Sequence, residues 1–561
     1  MTTLVTDMSG LFSGDVDFNE NISSWHTVSV TTMEDMFRGA SAFNQDLSKW
    51  DTSGVLNMQQ TFYNAIAFTN NLNDWDVSSV TDMDGMFRGA TSFNQPLNSW
   101  TVSNVLSMSN MFREATSFNQ PLNNWNVSNV KYMQFLFRQS DFNQPLNSWD
   151  VSNVLNMSEM FFNTPFNQNI DNWNVSNVTN MSKLFRGTDF NQPLNSWTVS
   201  KVTNFGQMFM DNDKFNQPLD NWNVSSATNI SSMFRGCREF DQPLNAWNTS
   251  PSSTAKITNM ATVFLNARKF NQPLDNWDVS KVTRMDDMFY NAFVFNGNID
   301  NWNVSSVTTM HEMFKNARVF NRDITGWQIT SLQNISGMFW DALEFNQPLN
   351  AWNTSPSSTA SLTNINNTFR NADKFNRPLN NWDTSNVEFM SGTFRAAALF
   401  NQDLSSWDTS SVLQMQNTFM NNPVFNNGQS SGVSNTLQWD TSSVTRMDNI
   451  CDGATAFNAN VTGWVVSNVT QMDRMFAGAS VFNQDLSNWN TSSATTLQGM
   501  FAEATIFNNG LSSGVSSTIM NWNTSNVTTI ESTFYRASAF NGNISGWDVS
   551  NVTKANNLFN A

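Results

Sequence analysis

The residues of this chain that could do chemistry are few, and most of them recur. Two histidines, His26 and His311, and two cysteines, Cys237 and Cys451, are the complete set of either type. Neither histidine has a paired nucleophile nearby along the sequence, no Cys/His spacing matches a metal site, and no Gly-rich phosphate loop is present. The two cysteines are too few and too far apart for a disulfide scaffold, and each reads as a small buried hydrophobe. The recurring group is the residue directly after a tryptophan. It is Asp at Asp51, Asp76, Asp150, Asp278, Asp383, Asp408, Asp440 and Asp548, and Asn at positions such as Asn126, Asn174, Asn223 and Asn303. Asp383, Asp408 and Asp440 are consecutive in that series, and their hard oxygen ligands suit Ca²⁺, although the loop spacing of calcium repeats is missing. No other cofactor is expected. Asp51, Asp76, Asn126, Asp150, Asn174, Asn223, Asp278 and Asn303 are the binding candidates, as an exposed polar file. No catalytic residue is expected, because every Ser and Asp belongs to a repeated pattern that an active site would break locally.

The elements that must position these groups follow from the tryptophans. They return at intervals of 25 from Trp25 to Trp125, then of 24 to Trp197, and onward to Trp547; of the 22, only Trp340 is off register. Such a period means a solenoid. Within one copy, Leu97, Trp100 and Val102 follow L-x-x-L-x-L, and Trp-x-Val alternates like a short strand. Met108, Met111, Phe112 and Ala115 then fall at i, i+3, i+4 and i+7, the stripe of a short helix. The expected fold is a leucine-rich-repeat-like solenoid of about 22 units of 24–25 residues. Short parallel β-strands would line one side and short α or 3-10 helices the other. Trp50, Trp75, Trp100, Trp125, Phe87, Phe93, Phe112 and Phe118 belong to the core ladder, and the Asn after Phe is expected to form an internal amide ladder that satisfies buried backbone groups in the turns. The expected domain is one continuous array over residues 1–561, beginning and ending in mid-repeat without obvious caps. Insertions interrupt it near 249–255, 354–360, 427–434 and 509–516.

The totals exclude several classes. A net charge of −17 disfavours nucleic acid and anionic lipid, and no apolar run is long enough to span a membrane. No secretory signal peptide opens the sequence. Charged residues are only 13% of the chain, yet 47 Phe, 30 Met and 22 Trp are too many for disorder. Asn126, Asn177, Asn468 and Asn526 open N-x-[ST] glycosylation acceptors, most of which arise from the repeat itself.

The full pattern, W-[DN]-[VT]-S-[NS]-V-T-x-M-x-x-M-F-x-x-A-x-x-F-N-Q-[PD]-L, resembles the BspA-like leucine-rich-repeat proteins. More closely, it is similar to the 25-residue repeat domain of unknown function of Mycoplasma-type surface lipoproteins. The resemblance covers essentially the whole chain. It implies a non-enzymatic adhesion or recognition protein, exposed on a cell or virion, that binds protein or glycan on another surface. It brings no catalytic residue with it, and the lipoprotein cysteine of that group has no counterpart near this N-terminus. The alternative is a structural fibre or sheath subunit that pairs with copies of itself end to end.

Overall fold

A computed structural model describes residues 5–248, 256–352, 362–515 and 520–560. The coils fall into two units, Met1–Asp278 and Val279–Ala561, and each is a solenoid built from the same coil. In the first unit, Leu97, Val105, Met108, Met111, Phe112, Ala115, Phe118 and Leu122 are fully buried, with Trp100 and Val102 nearly so. Chain reversals are made by four-residue turns: Leu97 O accepts from Trp100 N at 3.2 Å, Val102 O from Val105 N at 3.0 Å, and Ala115 O from Phe118 N at 3.0 Å.

Stacking of identical side chains holds coil to coil. Phe112 lies 3.9 Å from Phe118 in its own coil and 5.7 Å from Phe137 in the next, ring centroid to centroid and nearly parallel. In the second unit Phe394 repeats this with Phe400 at 3.9 Å and Phe419 at 5.8 Å. The tryptophans form their own file, as at Trp100–Trp125 (6.2 Å) and Trp382–Trp407 (6.2 Å). A tryptophan suits this slot because its indole N–H also donates to a buried turn carbonyl of the preceding coil, Trp125 Nε1 to Leu97 O at 2.9 Å and Trp407 Nε1 to Leu379 O at 3.0 Å. The expected core ladder of Trp50, Trp75, Trp100, Trp125, Phe87, Phe93, Phe112 and Phe118 is buried throughout.

The backbone differs from the sequence expectation in two places. Trp-x-Val is not where the strands pair. The parallel bridges mostly join the residue before the first Met of Met-x-x-Met or its Ile equivalent, as in Asp82–Ser107–Tyr132 and Asn334–Asn364–Phe389. At Trp-x-Val the Trp amide and the Val carbonyl are spent on turns. Nor does Met108–Ala115 form a helix; among the described residues the one helical element is a 3-10 turn, Asn245–Asn248. Asn110 (φ 58°) and Glu114 (φ 60°) are left-handed, which flips alternate peptide groups out of the helical direction. As a result the amides of Met108, Asn110, Phe112 and Glu114 all donate forward, to Tyr132, Gln134, Leu136 and Arg138 at 2.8–3.0 Å. The next coil, and not the fourth residue back, satisfies them. The apolar spacing still selects the inward side chains.

The Asn after Phe forms the expected ladder, but at the surface. Asn94 Oδ1 accepts from Asn119 N at 3.0 Å and from Gln120 Nε2 at 3.1 Å. Of the insertions, 249–255 and 354–360 lie outside the described residues, as does position 516 of the fourth. The loops at 427–434 and 509–515 share one construction: Asn426 Nδ2 donates to Ser430 O and Val433 O, and Asn508 Nδ2 to Ser512 O and Val515 O.

Candidate functional site

The polar file after tryptophan is placed by the turn that follows it. Asp51, Asp76, Asn126, Asp150, Asn174, Asn223 and Asn303 are exposed, and each side-chain oxygen accepts the amide of the Ser two residues on, at 2.9–3.2 Å. Asp278 is half-buried in the same file. Asp383, Asp408 and Asp440 do likewise with Ser385, Ser410 and Ser442 at 2.9–3.1 Å. Hydrogen bonds from these serines hold Asp76, Asp150 and Asp440 below the usual carboxylate range, the hydroxyl contributing more than the amide. The file therefore has a local structural task, capping an Asx turn in the coils that carry Asp or Asn there. The single grouping of three His, Cys, Asp or Glu ligand atoms within 4.8 Å, among the described residues, is elsewhere, at Asp287, His311 and Glu312. Cys237 and Cys451 are fully buried, and burial pushes both thiols well up.

A different file breaks its own rule. The residue after the core Val is Thr in most coils, and its hydroxyl donates to the backbone of the preceding coil. Thr81 Oγ1 reaches Leu56 O at 3.2 Å, Thr179 Oγ1 reaches Leu155 O at 3.1 Å and Thr203 Oγ1 reaches Thr179 O at 3.1 Å. In the first unit this slot is instead Leu56, Leu106 and Leu155, which are 50%, 44% and 37% exposed, with exposed Lys131 between the last two. Each leucine forgoes the hydroxyl bond and presents apolar surface to water, so the fold itself gains nothing from it. The three sit in alternate coils, about 10 Å apart at a strand spacing of ~4.8 Å. Tyr132, 43% exposed, stands beside them in the bridge position.

Leu106 and Tyr132 edge an open cleft of about 460 Å³ whose other walls are Thr81, Asp82, Asp84, Ser107, Ser109 and Gln134. Burial raises the Asp84 carboxyl, with the Asp82 charge adding to the effect and the amide of Asn110, 3.2 Å away, opposing it. The strip thus offers apolar contact flanked by carboxylates, one of them partly desolvated. In the linear sequence the residue after Trp is the more conspicuous polar file, and this strip is marked only by a change of residue type. The signal was present as leucine in a threonine file.

The model of the family described as "Mycoplasma protein of unknown function, DUF285" matches residues 1–84, 68–165, 162–259, 258–361, 357–435, 422–519 and 512–561. The chain belongs to this family. No curated protein matches it. Among solved structures, the TLR13–ssRNA13 complex shares 9% identity, over 92% of this chain and 87% of that one, with a TM-score of 0.15. A Leptospira interrogans LRR protein shares 7%, over 70% and 90%, at 0.18. The plant peptide hormone receptor RGFR1 in complex with RGF2 shares 8%, over 94% and 89%, at 0.20. Scores this low carry no argument about function. The family and the coil geometry establish a tandem-repeat solenoid. Among the described residues no helix is long and apolar enough to cross a membrane.

Proposed function

We propose that this protein is a recognition scaffold, displayed on a cell or virion surface, which binds a partner protein through the strip of Leu56, Leu106, Tyr132 and Leu155. The observation that supports this reading is the replacement of a hydrogen-bonded Thr by exposed Leu in alternate coils. Asp82 and Asp84 beside the strip, and the net charge of −17, favour a partner segment that alternates apolar and basic side chains. The chemistry it would contribute is complementarity, with no bond made or broken.

The test is fluorescence anisotropy of a labelled Leu/Lys amphipathic peptide against the full chain. Leu106→Asp is expected to weaken binding at least tenfold while the thermal midpoint stays within a few degrees, since the side chain lies outside the core. Binding equal to wild type in Leu106→Asp and Tyr132→Ala would sink the proposal. Light scattering over a hundredfold concentration range belongs beside it. A constant mass near 63.3 kDa is expected; growth with concentration would favour end-to-end assembly instead.

A further inference from the structure

One part of the second unit departs from the repeat in a way that neither the core nor the leucine strip explains. Of the two outward slots between the paired methionine positions, one column reads Asp286, His311, Ser336 and the next reads Asp287, Glu312, Gly337 over three successive coils. Ligand atoms of Asp287, His311 and Glu312 all lie within 4.8 Å of one another. His311 Nδ1 is 2.7 Å from Ser336 Oγ, which leaves Nε2 on the side of the carboxylates, 3.9 Å from Glu312 Oε1. Imidazole nitrogen and carboxylate oxygen both bind zinc-class ions at about 2.0–2.2 Å. Two such ligands on one ion stand roughly 3.4 Å apart at a tetrahedral angle. A small swing of a 43% exposed imidazole closes that gap.

The surroundings hold the other groups in place. Lys315 Nζ lies 2.9 Å from both oxygens of Glu312. It is itself held between the rings of Tyr290 and Trp340, at 4.8 and 3.8 Å. Trp340, the one tryptophan outside the core file, therefore has a position in this arrangement. Gly337 keeps the space above Glu312 open, because a Cβ there would come within 2.9 Å of Glu312 Cγ. Asp286 is engaged by Arg284 at 2.9 Å and by Thr309, which leaves Asp287 facing the imidazole. Glu159 in the equivalent slot of the first unit carries two cations, Arg138 and Lys183 at 3.1 and 2.9 Å, where Glu312 has Lys315 and the imidazole of His311.

We infer that Asp287, His311 and Glu312 form a binding site for a divalent transition-metal ion of the zinc class, with Ser336 and Lys315 orienting two of the ligands. The imidazole selects Zn²⁺, Co²⁺ or Ni²⁺ over Ca²⁺ and Mg²⁺. Three protein ligands leave coordination positions to solvent or to an oxygen donor of a bound molecule. This inference stands independently of the leucine strip.

The experiment is calorimetric titration of Zn²⁺ into the chelator-treated full chain, with Co²⁺ absorption spectra in parallel. One saturable site per chain is expected, together with ligand-field bands in the visible for Co²⁺. His311→Ala and Glu312→Gln should each weaken Zn²⁺ binding by at least about tenfold, and Ser336→Ala by about 10- to 100-fold, as outer-sphere partners do. His26→Ala should leave it unchanged. Absence of saturable Zn²⁺ and Co²⁺ uptake by the wild type would overturn the site. So would equal affinity in a folded His311→Ala, judged by an unchanged metal-free melting curve. If His311→Ala fails to fold, the wild-type Co²⁺ spectrum and Glu312→Gln decide.

Discussion

At the scale of the residue, the informative positions are those where a side chain abandons the task its file performs elsewhere. A Thr after the core Val donates to the coil before it, and Leu106 does not. Leu106→Thr should therefore restore one hydrogen bond, raising unfolding free energy by about 0.5–1 kcal/mol, while peptide binding falls; chemical denaturation and anisotropy read the two effects separately. Ionisation gives a second test. The serine-capped carboxylates Asp76, Asp150 and Asp440 titrate lower in the folded chain than in the unfolded one. Their stabilisation is present above the unfolded value of about 3.9 and is lost as pH falls through the folded values. Asp84 is shifted the other way by burial. Its protonated form favours folding, a contribution present below about pH 4 and lost as pH rises through the raised folded value. Asp84→Asn should therefore melt higher than wild type at pH 7, with the difference vanishing near pH 3. A difference of the opposite sign would exclude desolvation as the dominant cause.

At the scale of the element, the coil shows how a helical side-chain spacing is met without a helix. Met108, Met111, Phe112 and Ala115 all point inward, yet left-handed residues at every fourth position turn the amides toward the next coil. The apolar stripe was legible in the sequence. The backbone was not, because i, i+3, i+4 spacing reports only the direction of side chains. The overlooked signal is the pair of slots rich in Gly and Asn, such as Gly85, Gly89, Gly392, Asn110 and Asn417, types that tolerate positive φ. Asn417, at φ 60°, gives the test. Asn417→Val should cost about 1–2 kcal/mol and Asn417→Gly close to nothing; in a true helix Gly would be the worse of the two. Phe112→Ala, which removes a ring stacked on Phe87, Phe118 and Phe137, should cost about 3–5 kcal/mol.

At the scale of the whole molecule, stability comes from the repetition of one interface. Every file, whether of Trp, Phe, Asn or backbone amide, contacts mainly its counterparts one coil away, so the register of 24 or 25 residues matters more than the identity of any one coil. Deleting residues 203–227, one full coil, joins Val202 to Thr228 in register and should leave a cooperative melt within several degrees of wild type. Deleting 203–214 puts Trp, Phe and Asn out of line with their neighbours and should abolish near-ultraviolet circular dichroism. Equal behaviour of the two deletions would refute nearest-coil stabilisation.

The sequence by itself determined the period, the inward residues and the class of fold, because those depend on spacing along the chain and on which side chains leave water. It also showed the post-Trp Asp and Asn file, while the fold decided that this file caps turns instead of lining a strand. Tertiary structure decided where the strands bridge and why no helix forms, since the competing acceptors for those amides lie on the neighbouring coil. It also brought Asp287 to His311 and Glu312, and set Leu56, Leu106, Tyr132 and Leu155 along one face. Residues about 25 apart are unrelated in a linear reading and adjacent in a solenoid. A site assembled across coils is therefore visible only after the coil repeat is converted into distance.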